Sequence, residues 1–437
     1  MLTSNTIVVI ADDLTGANDT ALQFFTKGAV TEILLDYEKI PVKNLPIDTW
    51  AVSTESRNKT PEEAYKRTEE AFNIFKEKFN VDFFYKKIDS TLRGNIAQEI
   101  LAALNATGKD CAIISPAFVQ EGRITIGGFQ LVKGVPVERT EAARDPHVPV
   151  YESNLVNILK KQMPNNEDSV GLIDFSIVSK GAAPLVMKLN ELIKSGKKLI
   201  VVDAVSVVDI EQIVLAMKKS NYDILPCGSA GLAQVLANNW LEEVKIQNFK
   251  KAVPPMPKLI LSGSATELSA LQLKKVQDDE DIKNSYFISL KIEDILNGVS
   301  DNILNRVISN LQKTNIVAVH VSEIEKELED ENSTANELLI DEGVSKDDLA
   351  DKITKYLATL AQKVKQEKDF VLITIGGETS YRCCKALYCE NLQVIDTILP
   401  AIPLCLGSNA QLVITKSGNL GTTTTLVEIL KYFERHE

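Results

Sequence analysis

The sequence predicts an α/β protein of two domains, each built on a mainly parallel β-sheet flanked by helices. Three observations support this. Short apolar runs rich in β-branched residues alternate with helical patterns along the chain. The 437 residues exceed what one hydrophobic core usually holds. A proline-rich segment over 250–257, which suits neither a helix nor a central strand, divides the runs into two series. We therefore predict an N-terminal domain over 1–248, a linker over 249–257 and a C-terminal domain over 258–437.

The strand candidates form one series before the linker and one after it. Those before it are 6–11, 49–52, 82–88, 111–115, 198–203 and 223–226, and those after it are 259–262, 316–321, 370–375 and 412–415. The acidic stretch 323–348 is typical of a solvated helix and loop. The long segment 116–149 has the pattern of a loop, and loops of that length are usually functional or disordered.

Composition excludes several classes of protein. With 44% hydrophobic and 25% charged residues, the chain is of ordinary globular type. A net charge of -12 disfavours nucleic acid as a partner, although a local cluster of basic side chains can still bind a small anion. No apolar stretch approaches the ~20 residues of a membrane span, and the N-terminus lacks a signal-peptide pattern. We expect a cytoplasmic protein with no membrane partner.

The six cysteines contain no CxxC pair, which predicts reduced and mostly buried thiols. Cys383, Cys384 and Cys389 lie close together in the sequence, but histidines at ligand spacing are missing. A zinc site there is therefore disfavoured.

Carboxylates follow the first predicted strand. Asp12 and Asp13 come directly after it, Gly16 would let a ligand approach the backbone, and Asp19 lies one and a half turns further on. Ligands of open α/β sheets bind where strands end and helices begin. The alternative is that one aspartate simply caps the following helix.

A second junction holds Lys87, Asp89, Ser90 and Arg93 in a tight turn. Such a mixture suits a polyol carboxylate, with cations for the acid group and oxygens for the hydroxyls. The alternative is a surface turn with an internal Asp–Arg pair. Asn95 and Gln98 have the spacing of a capping box for the next helix.

Two more arginines complete a candidate clamp for an anion. Arg57 follows the strand candidate 49–52, and Arg123 lies in the loop-like segment 116–149. Together with Arg93 they are the side chains that we expect to bind an acidic group.

Three glycine turns follow strands in the C-terminal half. Their residues are Ser262, Gly263 and Ser264; Gly376, Gly377, Glu378 and Thr379; and Lys416 with Gly418. Backbone N–H groups in such turns bind phosphates, although none of the three matches a Walker A loop or GxGxxG. They predict a nucleotide site, with Glu378 for Mg²⁺ or ribose and Lys416 for phosphate. The alternatives are a helix-start carboxylate and a strand-end surface lysine.

At this point the motifs resemble the four-carbon acid sugar kinase family. They lie in order over 11–17, 87–95, 121–123, 141–146, 228–233, 261–264, 376–379 and 416–421, and so cover nearly the whole chain. The chain departs from the family at Pro400-Ala401-Ile402-Pro403 and at Thr422–Thr425, both near the expected nucleotide side.

The resemblance implies an acid-sugar-binding N-terminal domain, an ATP-binding C-terminal domain and an active site in the cleft between them. Members phosphorylate the 4-hydroxyl of D-threonate, D-erythronate, L-threonate or their 3-oxo relatives, with ATP and Mg²⁺. The continuation Asn18-Asp19-Thr20 is more similar to the D-threonate kinases.

Carried over by motif, substrate contacts fall on Asp12 or Asp13, Arg57, Lys87, Asp89 and Ser90, to which we add Arg93 and Arg123. Nucleotide contacts fall on the three glycine turns. Asp13, ahead of Asp89, is expected to be the catalytic base. The metal ligands stay open, as does the assembly, for which a homodimer is one alternative. The rival hypothesis is a non-catalytic sensor that binds these ligands without turnover.

Overall fold

The computed structural model describes residues 6–41, 47–145, 147–241, 255–264, 266–282, 284–330 and 333–434. The chain divides into two compact units, Met1–Gln247 and Asn248–Glu437. Of the predicted linker, residues 249–254 lie outside the described residues.

The described part of the first unit has a parallel sheet with strand order β2-β3-β1-β4-β11-β5-β10-β9. Its strands are β1 (Ile7–Ala11), β2 (Thr31–Leu34), β3 (Thr49–Ser53), β4 (Phe83–Lys87), β5 (Cys111–Ser115), β9 (Val170–Ile173), β10 (Leu199–Val202) and β11 (Ile224–Gly228). Its helices are α1 (Leu14–Phe25), α2 (Pro61–Lys78), α3 (Ile96–Thr107), α4 (Leu155–Gln162), α5 (Phe175–Val178), α6 (Ala182–Lys194), α7 (Val207–Lys219) and α8 (Ala230–Trp240).

The central strand β1 is apolar throughout because both faces of the sheet are covered. All five residues of β1 are fully buried. On one side, Phe72 and Phe75 of α2 join a core cluster with Val8 and Trp50. Helix α2 begins where Thr60 accepts a hydrogen bond from Glu63 N, with Pro61 at its first position.

The segment 116–149 was expected to be a loop, and this was wrong. It contains a small antiparallel sheet of β6 (Arg123–Ile126), β7 (Phe129–Val132) and β8 (Val135–Pro136). The Asp203 carboxylate, just beyond β10, accepts hydrogen bonds from the N–H groups of Gly127 and Gly128 at 2.5 and 2.9 Å. The strands have only two to four residues, so their alternation is hidden among turn residues.

The second unit has strand order β13-β14-β12-β15-β18-β17-β16, parallel except where β17 pairs. Its strands are β12 (Lys258–Ser262), β13 (Ser285–Ser289), β14 (Ile316–His320), β15 (Val371–Ile375), β16 (Asn391–Leu399), β17 (Ile402–Gly407) and β18 (Leu412–Lys416). Its helices are α9 (Glu267–Gln277), α10 (Ile292–Asn297), α11 (Asp301–Lys313), α12 (Ser322–Glu329), α13 (Thr334–Asp341), α14 (Lys346–Glu367), α15 (Gly377–Ala386) and α16 (Thr425–Glu434).

Every strand candidate of the sequence corresponds to a strand, and the acidic stretch 323–348 forms α12, α13 and the start of α14. The α/β class with mainly parallel sheets is confirmed. All six cysteines are buried, and none of them forms a disulfide. Among the described residues, no helix has both the length and the apolar character that crossing a membrane requires.

Candidate functional site

The polar side chains of the first unit lie where β1, β3 and β4 end. These strands are parallel neighbours, with Ala11 opposite Ser53 and Ile10 opposite Lys86. Their carboxyl ends therefore share one edge of the sheet, where ligands of open α/β sheets bind. The loops leaving this edge carry the candidate residues.

Arg57 binds two neighbouring carboxylates. Its Nε lies 2.7 Å from Asp12 Oδ2 and its Nη1 lies 2.5 Å from Asp13 Oδ2. The loop is held in place because the backbone N–H groups of Ser56 and Arg57 donate to Asp12 O at 3.0 and 3.3 Å. Asp13 Oδ1 also accepts from Gly16 N at 2.7 Å, so this aspartate caps α1 as well as pairing with Arg57.

The turn after β4 is built around Asp89. Its carboxylate accepts hydrogen bonds from Arg93 Nε at 2.7 Å and from Thr91 Oγ1 at 2.6 Å. Arg93 Nη1 reaches a second carboxylate, Asp145 Oδ2, at 2.9 Å. The Asp–Arg pair of the alternative interpretation exists, but Asp89 is buried.

The predicted capping box at 95–98 was wrong. Asn95 makes no capping hydrogen bond in α3. Its amide instead donates to Ser56 O at 3.3 Å and Lys59 O at 2.9 Å, and Gln98 donates to Gln162 O at 2.7 Å. Both side-chain amides bond to residues outside α3. Asn95 thereby connects the start of α3 to the loop that carries Arg57.

Lys87 lies at the centre of this cluster and is 3% exposed. In the described part of the chain its ammonium makes no hydrogen bond or ion pair, although the charges of Asp12, Asp13 and Asp89 act on it from nearby. A Cβ added to Gly16 would lie 2.8 Å from both Lys87 Nζ and Asp13 Oδ1. The absence of a side chain at residue 16 thus lets an acid and a cation approach the backbone of α1 closely.

The small antiparallel sheet brings Arg123 to the same place. Arg123 Nη1 donates to Ser90 Oγ, and Gln130 Nε2 fixes Ser90 by donating to its carbonyl at 2.8 Å. Arg123 Nε is buried without a hydrogen-bond partner among the residues described. A buried donor of this kind is costly unless a ligand or water satisfies it.

Burial and neighbouring charges shift the pKa values of the carboxylates in this cluster in different directions. Burial raises the pKa of Asp13 despite the neighbouring Arg57. Burial likewise raises the pKa of Asp19 to about 6. At Asp89 burial acts in the same direction, but Arg93 and Arg57 outweigh it and hold the pKa well below its usual range. Arg57 lowers the pKa of Asp12 in the same way.

Sequence reasoning missed two parts of this cluster. Asp145 lies in the resembling motif 141–146, yet its pairing with Arg93 had no local signal. Lys86 and Glu99 form a wholly buried ion pair at 2.7 Å beneath the loops, and neither was singled out. Asp19 was predicted as a candidate together with Asp12 and Asp13, and its raised pKa is typical of a buried carboxyl group in a functional site.

The glycine turns of the second unit also share one edge, because β12, β15 and β18 are parallel neighbours. The three turns pack closely against one another. A Cβ on Gly263 would overlap Thr379 Oγ1, and one on Gly418 would overlap Ser264 Oγ. Gly376 N donates to Lys416 O at 2.8 Å, which joins the second and third turns.

This edge fits the phosphate and ribose groups of a nucleotide. Ser262 Oγ and Asn419 Oδ1 are buried, and neither has a hydrogen-bond partner within the described residues. Gly376 has φ +117, and the backbone N–H groups that open α15 follow it directly. Helix-start N–H groups at half-buried positions, together with unsatisfied polar atoms, suit an anionic, hydroxylated ligand.

Two residues proposed for this site have other partners. Glu378 pairs with Arg382 Nε at 2.6 Å, and Lys416 is wholly buried in β18 with Nζ donating to Ser417 O at 2.6 Å. In the ranges that the structure describes, no three His, Cys, Asp or Glu side chains form a metal-binding group. Mg²⁺ in kinases is commonly held by one or two carboxylates together with phosphate oxygens and water.

Comparison with known proteins agrees with this division. A family model described as a sugar-binding N-terminal domain matches residues 7–236, and one described as a nucleotide-binding C-terminal domain matches residues 259–426. A D-erythronate kinase of Heliobacterium modesticaldum is 30% identical over 98% of this chain and 96% of its own. The chain belongs to the four-carbon acid sugar kinase family.

Two further members of the comparison extend this result. A D-threonate kinase of Salmonella typhimurium is also 30% identical, over 98% of both chains. A crystal structure of a Haemophilus influenzae protein described as DUF1537 is 26% identical, with a TM-score of 0.69 over 98% of this chain and 100% of that one. By its family the protein is a phosphotransferase.

Proposed function

We propose that this protein transfers the γ-phosphoryl group of ATP to the 4-hydroxyl of a four-carbon acid sugar, with D-threonate as first candidate. The first unit would bind the acid sugar and the second the nucleotide. D-erythronate is the second candidate, because relatives with both names are equally identical to this chain. L-threonate and the 3-oxo-tetronates follow.

One observation carries the choice of an acidic substrate. Lys87 is a nearly buried ammonium that makes no hydrogen bond or ion pair within the described residues and lies beside the backbone of Gly16. Because no group of the described chain binds this ammonium directly, a ligand carboxylate would satisfy its N–H donors. Arg57, Arg93 and Arg123 surround it, each already held by an acid or a hydroxyl.

In this proposal the chain's residues position the substrate, and one of them accepts the proton of its hydroxyl. The cations hold the acid group and so determine which hydroxyl faces the nucleotide, since positioning contributes most of phosphoryl-transfer catalysis. Asp13 would orient that hydroxyl and accept its proton. Its raised pKa makes it a better base than Asp89, whose proton affinity Arg93 suppresses.

ATP would supply the phosphoryl group, and Mg²⁺ bound with it would neutralise its charge. The glycine turns would hold the phosphates through backbone N–H groups, while Ser262 and Asn419 offer hydrogen bonds to hydroxyls. A sensor without turnover is disfavoured, because relatives matching the full length of the chain are named as kinases. The homodimer stays a prediction.

The test is ADP release by the purified protein with ATP, Mg²⁺ and one acid at a time. The panel is D-threonate, L-threonate, D-erythronate, L-erythronate and the 3-oxo-tetronates, with a blank that lacks acid. We expect strong turnover with one acid, D-threonate first. Release that is equally slow with every acid and the blank, while calorimetry shows ATP binding, would contradict the kinase proposal.

A further inference from the structure

Beneath the acid-sugar cluster lies a second layer of polar contacts that reaches no ligand. Its centre is Glu99 of α3, which is 2% exposed. Glu99 Oε2 lies 2.7 Å from Lys86 Nζ, and Glu99 Oε1 accepts from Ser56 Oγ at 2.7 Å. One carboxylate thus binds the residue before Arg57 and the residue before Lys87.

The same layer fixes the backbone at both places. Lys86 Nζ donates to Lys87 O at 2.7 Å, while Ser56 N donates to Asp12 O at 3.0 Å. Thr54 Oγ1 lies 2.7 Å from Ser56 Oγ and donates to Ala11 O at 2.9 Å. Every link ends at a candidate contact of the acid sugar or one residue away from it.

From this geometry we infer that Glu99 is a positioning residue that sets the spacing between the Arg57 guanidinium and the Lys87 ammonium. The inference rests on the proposed function, and it adds a determinant of acid-sugar affinity that itself touches no substrate.

Stability alone does not explain the arrangement. Replacing a buried ion pair by apolar residues of similar volume is often neutral or stabilising, so a core layer without a further role could be apolar. Here the carboxylate uses both oxygens, one for each loop. An apolar pair could fill the space but could not fix Ser56 Oγ and Lys87 O. Loss of positioning and loss of stability can therefore be separated by experiment.

The experiment compares four forms of the full chain. They are the wild type, Glu99→Gln, Ser56→Ala and the double variant Lys86→Met with Glu99→Leu. For each we would measure urea unfolding, kcat, and KM for the best acid and for ATP. Ser176→Ala, at an exposed serine of the same unit, is the matched control for Ser56→Ala.

We expect the double variant to unfold at about the wild-type urea concentration and yet to show a KM for the acid raised roughly 10-fold or more, the size of one charge-assisted hydrogen bond. Ser56→Ala should raise the same KM roughly 3- to 10-fold. KM for ATP should not change in either variant. Glu99→Gln should lose stability and acid affinity together.

A double variant that regains both stability and the wild-type KM for the acid would overturn the inference and leave Glu99 a structural residue. An equal rise in both KM values would overturn it too, since the effect would then not be specific to Arg57 and Lys87. If the wild type turns over no acid, the proposed function fails first. Calorimetric titration of the same variants with D-threonate then decides the positioning role by itself.

Discussion

Arg93 joins two acids that lie 56 residues apart in the chain, because its guanidinium binds Asp89 on one side and Asp145 Oδ2 at 2.9 Å on the other. The first acid belongs to the turn after β4 and the second to the segment that follows the small antiparallel sheet. This one side chain therefore connects the edge of the large sheet to the segment of the small antiparallel sheet, which carries Arg123.

The first prediction follows from that connection. Arg93→Met leaves the buried Asp89 unpaired, which should lower the free energy of unfolding at pH 7 by about 3–5 kcal/mol. Asp89 has a depressed pKa, so its pairing contributes stability above the unfolded value near 3.8 and loses it as pH falls through the lower folded value. Urea unfolding at pH 7 and at successively lower pH should show the difference between variant and wild type shrinking once the pH falls below about 3.8. An equal loss at every pH would contradict a charge effect.

The second prediction concerns the base. Asp13→Asn should lower kcat by roughly 100-fold or more, the usual contribution of general-base catalysis. Asp89→Asn should chiefly raise KM for the acid, because its partner Arg93 loses its orientation. Steady-state kinetics on both variants checks this, with ATP binding by calorimetry as the control for folding. Near-normal kcat in Asp13→Asn would remove Asp13 from the role.

The third prediction concerns Asp19. Its pKa, raised to about 6, means that the folded state binds a proton that the unfolded state releases between about pH 4 and 6. The free energy of unfolding therefore falls as pH rises through that window, by no more than roughly 3 kcal/mol for two pKa units. Asp19→Asn should be more stable than wild type at pH 8 and equal to it near pH 4. Thermal unfolding of both proteins across this pH range is the measurement. A difference in stability that does not change with pH would contradict the prediction.

The fourth prediction concerns the close packing of Asp13 and Lys87 against residue 16. Gly16→Ala places a methyl group 2.8 Å from Asp13 Oδ1 and Lys87 Nζ, so both side chains must shift. We expect KM for the acid to rise at least about 10-fold, with KM for ATP unchanged. Gly171→Ala in β9 is the control, since its Cβ meets only flexible side chains at 3.3 Å or more. An unaltered KM for the acid in Gly16→Ala would place the substrate elsewhere.

The sequence predicted those site residues whose signal is local. Asp12 and Asp13 directly follow an apolar run, and Gly263, Gly376 and Gly418 each follow another, so parallel strand order alone brings them to an edge. These placements need only the rule that side chains at the ends of neighbouring strands meet.

What the sequence did not predict depends on contacts between distant residues. The 13-residue separation of Lys86 and Glu99 spans a turn and part of a helix, and nothing in either residue's surroundings marks the pair. Strand β2, with a buried Glu32, lacks the alternation that marks a strand. Asn95 had the right neighbours for a cap, but tertiary partners offered its amide two carbonyls instead.

The mixture of acids and cations around Lys87 has a consequence for ligand binding. Asp13 and Asp19 have raised pKa values, whereas Asp89 and Asp12 stay ionised beside their arginines. An anion bound beside Lys87 and Arg123 would raise the pKa of the nearby Asp19 further, so Asp19 should take up a proton from the solvent when the acid sugar binds. Association with the acid sugar would thus consume hydrogen ions, and the heat of binding should depend on the ionisation enthalpy of the buffer.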